Sequence, residues 1–122
     1  MYSDEDSMRT FRKDLDFEFD AIKFYIDNLK VMNYDENKEK LNPLILDSLK
    51  HSEVIINEIL KLNHGSGKLN KTAQELALKE EEAMKGIYKY ELENTKKPER
   101  KEVLKKLIAQ EEMHERLVKS LK

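Results

Sequence analysis
Seven positions near the N-terminus restrict what this chain can become more than any other feature. Phe11, Leu15, Glu18, Ile22, Tyr25, Leu29 and Met32 follow one another at alternating spacings of four and three. That rhythm holds one line of side chains on a single face of an α-helix, and so narrow an apolar stripe is stable only when other helices cover it. Glu18 is the one charge within it. The stripe predicts a helix opening at Ser3, with Asp4, Glu5 and Asp6 at the positive end of its dipole, and running to about Asn33.

Three further helices follow from caps and period. The second is expected to begin between Asp35 and Pro43, with Pro43 starting or kinking it, and to end before "NHGSG", where Gly65 supplies a stop and His64 lies at the helix end or in the loop. The third starts near Asn70 or Thr72, where "TAQE" has the form of a capping box, and continues through Leu92 with Ala77, Glu81, Met84 and Tyr88 on its seam. A fourth opens around Thr95 with Pro98 in its first turn and places Leu104, Leu107, Glu111, His114, Val118 and Leu121 on its seam. Only three Gly and two Pro occur in 122 residues, in keeping with long helices. The expected fold is all-α: a single domain over residues 1–122, a four-helix bundle made of two similar hairpins at about 1–63 and 64–122. Three-helix and extended coiled-coil arrangements are the alternatives.

Composition excludes several function classes. Lys+Arg (23) and Asp+Glu (25) nearly cancel, so no basic footprint for nucleic acid exists. No apolar run approaches the roughly 20 residues of a membrane span and no signal-like segment opens the chain, so a cytoplasmic protein is expected. Cysteine is absent, which removes disulfides, thiolate nucleophiles and Cys-ligated metal centres. Any metal must sit on oxygen and nitrogen.

The chain resembles itself at an offset of 63 positions, the separation of Glu18 from Glu81. At that offset Tyr25 falls on Tyr88, Leu29 on Leu92, Leu41 on Leu104, Leu44 on Leu107 and His51 on His114. Aligned leucines are cheap, since the offset is a whole number of heptads. Two of three histidines and two of five tyrosines also coincide, each Tyr seven residues after a seam Glu, and these coincidences point to two copies of one hairpin.

Ionised carboxylates on a buried seam cost several kcal/mol unless neutralised, and Glu18, Glu81 and Glu111 would converge inside a bundle. Cations between them resolve the repulsion. Glu111 and His114 share a face at i and i+3 and can hold the same ion through a carboxylate oxygen and a neutral imidazole nitrogen. One Glu from each of two helices plus a Glu-x-x-His from each of two others is the ligand set of carboxylate-bridged di-iron and di-manganese bundles. This chain supplies five of those six side chains: Glu18, His51, Glu81, Glu111 and His114.

On "EFDAIKFY", "DSLKH", "EEAMKGIY" and "EEMH", which together span almost the whole chain, the sequence resembles the ferritin-like superfamily and, within it, the erythrin domain of rubrerythrins. The resemblance implies terminal-ligand roles for Glu18 and Glu81, a bridging role for Glu111 and ligand roles for His51 and His114. Tyr25 and Tyr88 are core aromatics or hydrogen-bond partners of a ligand carboxylate. The implied cofactor is a pair of iron or manganese ions, and the implied activity is reduction of peroxide or dioxygen, or oxidation of ferrous iron, as in a peroxidase or ferroxidase. Without the Cys-ligated iron domain of rubrerythrins, an external electron donor is required.

One departure bears on all of this. Ser48 stands where the family pattern has a second bridging Glu, and Asp47, about 100° round the helix and a methylene shorter, is a poor substitute. A mononuclear site is therefore an alternative to a dinuclear one. So is a non-catalytic bundle with a degenerate site, serving in oligomerisation or interaction. The link between the second and third helices is another constraint: roughly eight residues reach about 26 Å, against a crossover of about 30 Å along the bundle. A homodimer is expected, with exchange of hairpins between copies as one form of it.

Overall fold
A computed structural model of the chain describes residues 3–63 and 67–122. It contains four helices, α1 (Asp4–Asp27), α2 (Tyr34–Leu62), α3 (Lys71–Asn94) and α4 (Pro98–Lys119), and no strand among the described residues. None of the helices is long and apolar enough to cross a membrane. The chain divides into two compact units, Met1–Gly65 and Ser66–Lys122. In the first α1 packs on α2, and in the second α3 packs on α4. His64 and Gly65, expected at the end of the second helix, lie outside the described residues.

The first hairpin begins as its sequence predicts. Ser3 Oγ accepts from the Asp6 backbone N–H at 3.1 Å, and the Asp6 carboxylate accepts from the Ser3 backbone N–H at 3.3 Å, a reciprocal box that satisfies two orphan donors. All seven seam positions from Phe11 to Met32 are half-buried. The helix nevertheless stops at Asp27 rather than near Asn33. Asn28 turns its side-chain amide onto the Phe24 carbonyl at 2.7 Å, and Asn33 takes a left-handed conformation (φ 53°) that asparagine tolerates better than most residues. Leu29 and Met32 continue the apolar rhythm through the turn between these two asparagines, because they still cover the same core.

Within α2 the backbone departs from helical geometry at Asn37 (φ −119°, ψ 18°), not at Pro43. The Asn37 amide donates to the carbonyls of Met32 and Asn33 at 2.9 and 3.2 Å, so a side chain supplies bonds the interrupted helix cannot. Pro43 sits inside the helix and leaves the Glu39 carbonyl without its usual donor. Leu41 and Ser52 are buried on this helix, and Ser52 Oγ donates to the Ser48 carbonyl at 2.8 Å.

The second hairpin starts from Asn70, whose side chain accepts from the Ala73 N–H at 3.1 Å, so of the two candidate starts this one is used and Thr72 lies inside the helix. Thr95 caps the end of α3, and α4 opens three residues later with Pro98 at its first position. Gln74 ties the ends together by donating to the Val118 carbonyl at 2.8 Å. Leu104 is the best-covered apolar side chain, 1% exposed. Two seam expectations need correction: Met84 is exposed, as is Leu121, which lies past the end of α4. The covered position on α3 is Lys85, whose ammonium crosses to Glu115 of α4 at 2.7 Å.

Truncating Leu104 to Ala should lower unfolding free energy by about 2–5 kcal/mol, whereas Val31→Ala, in the exposed turn, should change it by no more than about 0.5 kcal/mol. Urea unfolding followed by circular dichroism makes the comparison.

Candidate metal centre
Glu81 comes from the middle of α3, and Glu111 and His114 from one face of α4, where their i, i+3 spacing stacks them. Packing of α3 on α4 brings the three together. His114 Nδ1 lies 3.4 Å from Glu81 Oε2 and 3.7 Å from Glu111 Oε2, and one ligand atom from each residue lies within 4.8 Å of the other two. Glu111 is 6% exposed, Glu81 half-buried, and the His114 side chain 43% exposed. The centre is thus walled on the carboxylate side and open on the imidazole side.

Two acidic side chains facing each other at this depth oppose full ionisation. The hydrogen-bonding contact with the Glu81 carboxylate, then burial, then the Glu81 charge raise the Glu111 carboxyl above its ordinary value, and His114 offsets only part of this. Glu81 Oε2 and Glu111 Oε2 are buried and accept no N–H hydrogen bond, having only each other's carboxylate and, at 3.4 and 3.7 Å, His114 Nδ1 beside them. Such orphaned oxygens are costly unless a proton or a cation lies between them.

The neighbouring charges are satisfied differently. The Lys85 ammonium holds both Glu115 oxygens, at 2.7 and 2.9 Å, and this contact raises the lysine further above its usual range. Sequence reasoning missed the pair, although Lys85 follows Glu81, and Glu115 follows Glu111, by the four residues that keep side chains on one face.

Within the first hairpin, Glu18 and His51 also meet, His51 Nδ1 standing 3.4 Å from Glu18 Oε1. The His51 side chain is 64% exposed, and the covered positions around it belong to Ser48 and Ser52. No third acidic or imidazole group joins this pair among the described residues. Asp47 is exposed and takes no part. The pair borders an open groove lined by Asp14, Phe17, Val54 and Ile55.

Tyr25 and Tyr88 are half-buried, and neither hydroxyl bonds Glu18, Glu81 or Glu111 among the described residues. Seven residues along a helix is a rise of about 10.5 Å, too far for a tyrosine to reach a carboxylate of its own helix. Comparisons with protein-family models, with curated proteins and with solved structures gave no match.

The raised Glu111 carboxyl sets a pH dependence. A carboxyl whose folded value exceeds its unfolded one favours the folded state most below the unfolded value and loses that contribution as pH rises through the folded one. The thermal midpoint of chelator-treated protein should therefore fall as pH rises from about 4.5, the ordinary Glu value, toward neutrality. Glu111→Gln should flatten that slope and raise the midpoint at neutral pH, read by thermal circular dichroism across a pH series.

Proposed function
We propose that Glu81, Glu111 and His114 hold a redox-active metal ion, iron or manganese. In this reading the chain is a non-haem metalloprotein of the rubrerythrin and ferritin-like type, which reduces peroxide or dioxygen or oxidises ferrous iron. The observation that carries the reading is the pair of buried carboxylate oxygens that accept no hydrogen bond, facing an imidazole nitrogen that can approach the same point. Two oxygen donors and one nitrogen donor suit a divalent first-row ion, and the buried pair is better compensated by a dication than by one shared proton. The bound metal would supply one-electron chemistry and Lewis acidity at that point.

The chain's own residues do the rest. Glu111, nearly enclosed, fixes the inner wall; Glu81 closes the α3 side; His114 presents Nδ1 and leaves the opposite side of its ring toward solvent. The exposure of His114 provides the approach for a small oxidant, and the absence of cysteine assigns electron delivery to a separate donor. The reading further takes the two hairpins as repeats within a ferritin-like four-helix bundle and Glu18 and His51 as the remaining ligands. The same 3.4 Å spacing between Glu and His in each hairpin supports that extension.

A second reading, a helical module whose degenerate site has no catalytic role, is favoured by one observation. The Glu18–His51 pair lacks the carboxylate that Glu111 contributes in the other hairpin, because Ser48 stands at that position.

Elemental analysis after expression with iron and manganese separates the two. The expected result is stoichiometric metal in the wild type and its loss in Glu111→Ala and in His114→Ala, with peroxide consumption lost in parallel. Wild-type protein devoid of metal would sink the first reading; bound metal with no peroxide, dioxygen or ferrous-iron chemistry would favour the second.

A further inference from the structure
The methionines are not placed alike. Met8 and Met32 are half-buried in the first hairpin, and Met1 lies outside the described residues. Met84 and Met113 belong to the second hairpin and are almost equally open, 41 and 46% exposed. Their positions around their helices differ. Met113 follows Glu111 by two residues, about 200° round α4, and so stands on the outer face of that helix. Met84 follows Glu81 by three, the spacing at which His114 follows Glu111, so each shares a face with a carboxylate of the centre.

The neighbouring ion pair fixes the side of the seam on which they lie. Lys85 and Glu115 each follow one of the two carboxylates by four residues, about 40° beyond a full turn, and they bridge α3 and α4 on one side. Three residues fall about 60° short of a full turn, so Met84 and His114 lie on the other side, where the centre is open. Height agrees as well. Gln74 meets Val118 near one end of the helix pair and Glu91 meets Arg100 near the other, a register that sets Glu81 level with Glu111. Helical side chains lean toward the N-terminus of their own helix, so Met84 leans back over Glu81 as His114 does over Glu111. In the first hairpin the position that matches Met84 holds Ala21.

We propose that Met84 is an oxidation site coupled to the metal centre, its thioether converted to the sulfoxide by peroxide drawn to Glu81, Glu111 and His114. The proposal rests on the metal-site reading. The sulfur lone pair attacks one peroxide oxygen, the O–O bond breaks as the S–O bond forms, and the other oxygen leaves as water with both protons. Sulfur loses two electrons and peroxide gains them, so this turnover needs no outside donor. With no cysteine in the chain, methionine carries all of its sulfur. The sulfoxide is reducible by dedicated reductases, which makes Met84 a renewable reductant rather than a lesion.

The test uses the full chain loaded with whichever of iron(II) and manganese(II) it retains, freed of excess metal and treated with equimolar hydrogen peroxide and no electron donor. Chelator-treated protein is handled alike. Trypsin releases Met84 in residues 80–85 and Met113 in residues 107–116, and mass spectrometry reads the oxygen gained by each peptide. Without metal, similar exposure should keep the two sulfoxide yields within about twofold of each other, whereas loaded protein should favour Met84 by about tenfold or more. Equal yields in loaded protein, or the same Met84 preference without metal, overturn the oxidation site and leave the metal reading standing. Protein that retains neither metal overturns both.

Discussion
Two carboxylates face each other where α3 meets α4, and the character of the second hairpin depends on how that repulsion is resolved. Glu111 is almost enclosed, Glu81 lies against it, and only one imidazole offers compensation. A nearby acid, Glu115, has a dedicated ammonium. The contrast is informative because both acids are on one helix four residues apart: Glu115 faces a lysine ammonium at 2.7 Å, whereas Glu111 faces a second carboxylate and, at 3.7 Å, an imidazole nitrogen. A group that binds the folded hairpin there would stabilise it by linkage, since the unfolded chain does not hold the three ligand atoms together.

The first hairpin uses the same seam geometry with different chemistry. Ser48, Ser52 and Ile22 occupy the positions that hold Glu111, Glu115 and Lys85 in the second. Small and apolar residues there remove both the facing carboxylate and the compensating bridge. The first hairpin also exposes large apolar side chains, Phe17, Phe19, Phe24, Leu49 and Val54 among them. Both hairpins expose apolar side chains, Ile87 and Leu117 in the second among them, but of the two it is the second that gathers acidic and imidazole groups into a centre of three among the described residues.

Much of the local structure was legible in the residues. Ser3 with Asp6, Asn70, Pro98 and the seam from Phe11 to Met32 each act through short-range geometry, which sequence spacing encodes directly. Glu111 with His114 was legible for the same reason, as i and i+3 on one helix are neighbours whatever surrounds them. The misreadings have equally local causes. Apolar spacing continued past Asp27 because turn residues can cover a core without being helical, and Asn28 and Asn33 ended the helix through side-chain bonding and a left-handed backbone. Met84 fitted the four-three rhythm as well as Lys85, and only the presence of Glu115 opposite drew the lysine inward.

The sequence by itself determined that the chain is helical, where its caps lie, and which acids and histidines sit near the seams. Tertiary structure alone decided that Glu81, Glu111 and His114 share a space of 4.8 Å, that His51 stays in solvent beside Glu18, and that Lys85 belongs to Glu115. The physical reason is that helical periodicity fixes the angle of a side chain about its own axis. Distance, burial and pairing depend on which neighbouring helix meets that angle and at what height.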